Sequence, residues 1–210
     1  MVAVRGSHLL NPQDFVIEQW CAGLKLAEQP EKSLIDAWYY ARDLMSTHPD
    51  EMKNATLMLQ SGVEMVEILH ELNMDAETLL TAMLFPIVAN KLTDWESLKE
   101  KFGAKITKLL KGVLEMDNIR QLNASHSANA LQVDNVRRML LAMVDDFRCV
   151  IIKLAERITF LRDAEHRCAE EDKVLAAKEC SNIYAPLANR LGIGQLKWEL
   201  EDLSFRYLEP

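Results

Sequence analysis

Long apolar runs are missing from this sequence. No stretch approaches the roughly 18 uncharged apolar residues that a membrane-spanning helix needs. The opening MVAVRGSHLLNP turns polar too soon for a signal peptide. Cysteine is scarce, at positions 21, 149, 168 and 180, with no CxxC pair and no close Cys/His grouping. Neither a structural zinc site nor a disulfide framework is expected, and reduced thiols in a cytoplasmic protein fit best. Glycine and proline are few, seven and six among 210 residues, which excludes collagen-like and low-complexity chains. Basic charge is also short: the formal net charge is -8. A phosphate backbone demands a basic footprint, so no direct nucleic-acid binding is expected.

What is present favours helix. The chain is 49% hydrophobic and 27% charged, as ordinary globular proteins are, and Leu, Ala, Met, Glu and Lys dominate. A domain of this length buries roughly 70% of the surface its unfolded chain exposes, so it needs no covalent staples. Punctuation and period mark out the elements. An amphipathic stretch near 14–27 is broken at Gln29-Pro30, and 32–46 follows with Leu34, Ile35, Trp38 and Leu44 inward. Val63, Val66, Leu69 and Leu72 recur at near-helical period over 54–72. Asp75 is placed to cap a helix that Phe85-Pro86 should kink or end. Thr93 or Asp94 caps the next, and Gly103 divides it from a helix over 104–122. The polar run 123–129 reads as a loop, and Val133 to Phe147 carries the clearest helical stripe, extended through Leu161. An acidic, solvated link over 163–172 leads to helices at 173–190 and 195–208, split by Gly192-Ile193-Gly194. No strand-length alternation survives, and the expected fold class is all-α.

The usual chemical signatures fail one by one. Among His8, His48, His70, His126 and His166 there is no HxxxH and no His-Asp dipeptide. His70 between Glu67 and Glu71 reads as a surface ion pair before it reads as a site, and His166 with Glu170 likewise. LGIGQ offers glycines for a phosphate cradle, yet it follows a helix and lacks the P-loop Lys-Ser/Thr. A helix end and restart is the preferred explanation. No Gly-x-Ser-x-Gly elbow occurs.

Two stretches are specific. VDNVRRMLLAMVDDFRCVIIKLAERITFLRDA, Val133–Ala164, and AAKECSNIYAPLANRLGIGQLKWELEDLSFRYL, Ala176–Leu208, closely resemble the RelA/SpoT family of alarmone enzymes. MVAVR and GVEMVEIL, Gly62–Leu69, point to that family's ribosome-associated synthetase branch. The resemblance implies a helical HD-type phosphohydrolase fold over residues 1–210. It also implies a synthetase domain following Pro210 as same-chain partner, and the ribosome as a partner through the parent protein. Active members remove the 3′-pyrophosphate of (p)ppGpp with manganese. Here the first metal histidine falls on Ser61. In the run LFPIVANK, the metal His-Asp pair falls on Phe85 and Pro86, and the acidic pair that handles water on Ala89 and Asn90. In KLAERITFLR, the metal aspartate is Glu156 and the nucleotide-contacting asparagine is Phe160.

The resemblance therefore implies a hydrolase frame without its catalytic residues, with no cofactor and with a structural or regulatory task. Glu156 is expected to pair with Arg157 or Lys153, or to face solvent. Phe85 and Phe160 are expected to fill the former site. Outward Arg137, Arg138, Arg148, Lys197 and Arg206 are the candidate interdomain contacts. Two other readings stay open: a working manganese-dependent hydrolase with a displaced metal site, and a stand-alone helical interaction module.

Overall fold

A computed structural model of the chain describes residues 15–47, 52–123, 138 and 146–209. The backbone there is helical, with no strand among the described residues, so the fold class is all-α as expected. The loop expected at 123–129, nearly all of the stripe over 133–147, and His8, His48, His126 and Arg137 lie outside the described residues. No helix among the described residues is long and apolar enough to cross a membrane. The chain divides into two compact units, one within residues 8–111 and one within residues 112–210.

The first unit opens with α1 (Ile17–Leu24) and α2 (Glu28–Ser46). Pro30 does not break the chain between them, as its sequence context suggests. It sits in the first turn of α2, where its missing N–H is one that no helix satisfies internally. Leu34, Ala37, Trp38, Ala41 and Met45 form the buried stripe of α2, whereas Ile35 and Leu44 are half-buried. Packed on α2 and on each other are α3 (Met52–Glu71) and α4 (Ala76–Ala89).

The turn between α3 and α4 is written in its polar residues. Asn73 adopts the left-handed conformation, φ 55°. Its N–H bonds the His70 carbonyl at 2.9 Å, and that of Met74 the Leu69 carbonyl at 3.1 Å, which closes the end of α3. Asp75 then caps α4 as expected, its Oδ1 accepting from the Thr78 N–H at 2.8 Å. Asp94 does the same for α5 (Trp95–Asn123), accepting from the Ser97 N–H at 2.8 Å. Gly103, at φ 87°, interrupts the helical path of α5 where the sequence places a division.

The second unit takes up α5 from Gly112. It continues with α6 (Arg148–Arg162), the single turn α7 (Ala164–Arg167), α8 (Glu170–Glu179), α9 (Ala185–Arg190) and α10 (Gly194–Leu208). The one helix expected over 173–190 is three pieces. Between α8 and α9 the chain widens into a π turn, Cys180–Tyr184, and the Ala185 N–H reaches the Cys180 carbonyl. Pro186 supplies the cause, because its ring crowds the carbonyl four residues back and it has no N–H to donate. The 163–172 link is not wholly solvated either: Asp163 and Ala164 are 1% and 0% exposed. Gly192, at φ 73°, ends α9, and the Ile193 N–H bonds the Ala188 carbonyl at 3.0 Å, so LGIGQ is a helix end and restart. Ile158 and Leu161 of α6 and Leu196, Leu200 and Leu203 of α10 are core residues, with the Tyr207 hydroxyl donating to the Leu161 carbonyl at 2.9 Å.

Among the described glycines of the first unit, Gly62 is the one held against neighbouring backbone. A Cβ placed there lies 3.0 Å from the Met83 carbonyl oxygen, whereas one on Gly23 meets nothing within 4 Å. Gly62→Val is expected to lower stability by about 1–3 kcal/mol through overpacking. Gly23→Ala should cost nothing. Chemical denaturation of both variants checks the contrast.

Candidate functional site

Five of the seven aligned positions lie on the α3–α4 pair. Ser61 is buried on α3, 7% exposed, beside the Gly62 contact with α4. Its neighbours are also buried: the Gln60 side-chain amide donates to Glu64 Oε1 at 2.9 Å. On α4, Thr78, Leu79 and every residue from Thr81 to Val88 are buried, with Phe85 at 2% exposure and Pro86 between Phe85 and Ile87. A helix enclosed on nearly all sides tolerates few polar groups. Those it keeps are spent locally, the Thr78 hydroxyl on Asp75 at 2.7 Å and the Thr81 hydroxyl on the Glu77 carbonyl at 2.7 Å.

The two positions aligned with the water-handling carboxylates behave differently. Ala89 and Asn90 are exposed at the end of α4. Asn90 closes the helix: its side-chain amide donates to the Pro86 carbonyl at 2.7 Å, and its backbone N–H donates to the same oxygen at 3.2 Å. This amide is a cap with no proton-accepting group of useful basicity.

The remaining two positions belong to α6 in the second unit. Glu156 accepts from Arg157 Nε at 2.7 Å and from Arg157 Nη2, and Lys153 Nζ lies 2.7 Å from its Oε2. Lys153, 1% exposed, also reaches Asp117 at 2.6 Å. Burial pushes the Glu156 carboxyl up, but Arg157 and Lys153, with their hydrogen bonds, outweigh it and hold it well below the usual carboxylate range. Glu156 therefore pairs as the sequence suggests, with both cations at once. Phe160 is not the fully buried plug expected. It is half-buried, and the Arg157 guanidinium stands 4.7 Å above its ring. Cys180 is buried in the same unit, and burial raises its thiol to about 12. This makes it a packing residue and not a nucleophile.

These residues do not fit the manganese that the resemblance implies for active members. A divalent ion of that kind takes imidazole nitrogen and anionic oxygen in fixed geometry. Phe85 and Pro86 have no side-chain lone pair, Ser61 is neutral, and the Glu156 carboxylate is already neutralised by two cations. Among the described residues, no three His, Cys, Asp or Glu side chains are grouped to hold a metal.

Of the outward cations, Arg138 and Arg206 are exposed. Arg148 is not free: it is half-buried and bound to Asp146 at 2.7 Å. Lys197 pairs with Glu201 at 3.0 Å and lies 5.0 Å over the Trp198 ring. Sequence reading missed two exposed aromatics on the same helix, Trp198 and Phe205, each 61% exposed. Their spacing of two helical turns among polar residues was the available signal.

Comparison with known proteins follows the same lines. The HD-domain family profile matches residues 37–194. The chain is 95% identical over its whole length to a GTP pyrophosphokinase of Haemophilus influenzae and 54% identical, again over its whole length, to that of Escherichia coli K12. It spans 28% of the length of each. It is also 32% identical, over 92% of its length, to a protein of Synechocystis named as a probable guanosine-3′,5′-bis(diphosphate) 3′-pyrophosphohydrolase, of which it spans 25%. The RelA/SpoT resemblance read from the sequence is borne out by these relatives.

Two expectations follow from the geometry. Restoring Phe85→His with Pro86→Asp places polar groups in a dry helix and should cost at least about 2 kcal/mol, seen as a lower denaturation midpoint. Glu156→Gln leaves Arg157 buried without its counter-charge and should cost about 3–5 kcal/mol. Because its folded pKa is depressed, Glu156 contributes stability in full above the ordinary carboxylate value of 4.5. That contribution is lost as pH falls from there toward the folded value. Melting curves between neutral pH and pH 3 should therefore show a steeper acid loss in the parent than in Glu156→Gln.

Proposed function

The chain belongs to the HD-domain family, and from that premise we propose that it is a catalytically inactive hydrolase-like domain of a GTP pyrophosphokinase of RelA type. In this reading residues 1–210 retain the HD frame, the synthetase lies beyond Pro210 in the parent protein, and the domain positions and restrains it. The cytoplasm is the compartment, and the ribosome is reached through the rest of the parent.

The observation that carries the reading is the chemical state of the aligned positions. Three of four metal positions hold Ser61, Phe85 and Pro86, and the fourth, Glu156, is locked between Arg157 and Lys153. The water-handling positions hold an alanine and a capping amide. Without metal or a general base, nothing at these positions generates hydroxide at neutral pH, a step that otherwise lowers a water pKa from 15.7 to about 7.

The regulatory half of the reading rests on α10. Its buried side, Leu196, Leu200, Leu203 and Tyr207, fixes it to the second unit, while Trp198, Phe205 and Arg206 stay in solvent. Such a face suits a neighbouring domain. Coupling across it is on the order of 1–3 kcal/mol, as is typical between linked sites.

A second reading, active (p)ppGpp hydrolysis, is favoured by the Synechocystis relative's name. One assay separates the two. Incubation of the chain with ppGpp and excess manganese should leave the nucleotide intact; release of GDP and pyrophosphate at the rate of an active family hydrolase overturns the proposal. For regulation, Trp198→Ala with Phe205→Ala in the whole parent protein should change (p)ppGpp synthesis several-fold with the fold intact. An unchanged rate and ribosome response in that variant leaves the domain a structural remnant.

A further inference from the structure

An open trough runs along the first unit, and none of its lining residues aligns with the hydrolase site. Its main part is a cavity of about 740 Å³ bounded by Asp36, Tyr40, Leu44, Leu80, Lys101 and Phe102. A second cavity of about 310 Å³ continues it toward the start of α4 and shares Leu80 and Phe102. On α2 the lining extends from Gln29 to Thr47, which at 1.5 Å per residue makes the trough about 27 Å long. That is the length of a helix of about 18 residues and far exceeds a compact small ligand.

The walls differ in chemistry. Leu44, Leu80 and Phe102 give an apolar strip, and Tyr40 stands edge-on to Phe102, ring centres 5.4 Å apart. Several lining charges are already matched: Asp43 holds Arg42 at 3.1 Å, and Glu77 holds Lys105 at 3.3 Å. Two are not. Asp36, on the α2 wall, is exposed and has no hydrogen-bond or ion-pair partner among the described residues. Lys101, on the α5 wall, meets only the Tyr40 ring among the described residues, at 4.6 Å. The trough lining thus carries one open carboxylate from α2 and one open ammonium from α5 beside the apolar side chains.

We propose that this trough is the docking site for an amphipathic helix of a partner protein. The partner's apolar stripe lies on Leu44, Leu80 and Phe102, a basic residue faces Asp36 and an acidic residue faces Lys101. Helix-in-groove recognition combines a concave seat that holds apolar side chains with charges that fix the register. A lipid surface does not match a concave seat with open charges of both signs, and a nucleic acid does not match its exposed carboxylate.

The test uses the 210-residue chain and a fluorescein-labelled 18-residue helical peptide of Leu, Ala, Arg and Glu, with Arg and Glu on opposite flanks of the Leu stripe. Fluorescence anisotropy should report saturable binding. Exchanging the two open charges, Asp36→Lys with Lys101→Glu, keeps the net charge and should weaken binding about ten-fold. The same exchange at two exposed residues of α8, Glu171→Lys with Lys178→Glu, should leave it unchanged. Both pairs are exposed, and melting curves confirm that the variants fold. No saturable binding, or equal weakening by both exchanges, overturns the proposal, since the peptide would then be reading only general charge.

Discussion

Exclusion of water from α4 is the constraint on which the first unit depends. Ten of its residues are buried, and a buried helix must satisfy every polar group it carries from within. Thr78 and Thr81 meet that demand by bonding one turn back, and Asn90 meets it at the far end by capping the Pro86 carbonyl. Phe85 and Pro86 meet it by having no polar side-chain atom at all. A histidine and an aspartate at those places are tolerable only when a metal ion takes up their lone pairs. The apolar pair Phe85 and Pro86 is what a dry helix accepts at these places.

Glu156 presents the complementary case. A carboxylate kept in a buried position is costly unless matched, and here the match is supplied by Lys153 one turn before it and Arg157 beside it. Lys153 is shared with Asp117, so the charges form a chain instead of an isolated pair. Glu156 is thus committed to two cations of its own helix, and Lys153 carries the link on to Asp117 of α5. Arg157 extends the arrangement onto the face of Phe160 as a cation–π pair.

The helices that carry the specific sequence resemblance end in α10, whose inner side is core and whose outer side exposes two aromatic rings. Burying one face of an amphipathic helix fixes its axis, and whatever is displayed on the other face is then presented rigidly. That is the property a domain needs if its remaining work is to hold a neighbour.

The sequence by itself determined the fold class and most helix boundaries among the described residues. Those follow from local rules: Asp75 and Asp94 cap because a carboxylate reaches free N–H groups, and Gly103 and Gly192 take backbone angles that other residues resist. KLAERITFLR and LFPIVANK could be set against a family pattern without coordinates. Pro30 was misjudged as a break, because a proline in the first turn of a helix gives up no internal hydrogen bond, and the π turn before Pro186 was not foreseen. Only the tertiary structure decided which partners the charges take. Glu156 with two cations, Arg148 folded onto Asp146, and Asp36 left open all depend on side chains whose neighbours come from distant sequence or from competing rotamers. Exposure of Trp198 and Phe205 was settled there as well, since the periodicity of α10 names its two faces but only packing chooses which one is covered.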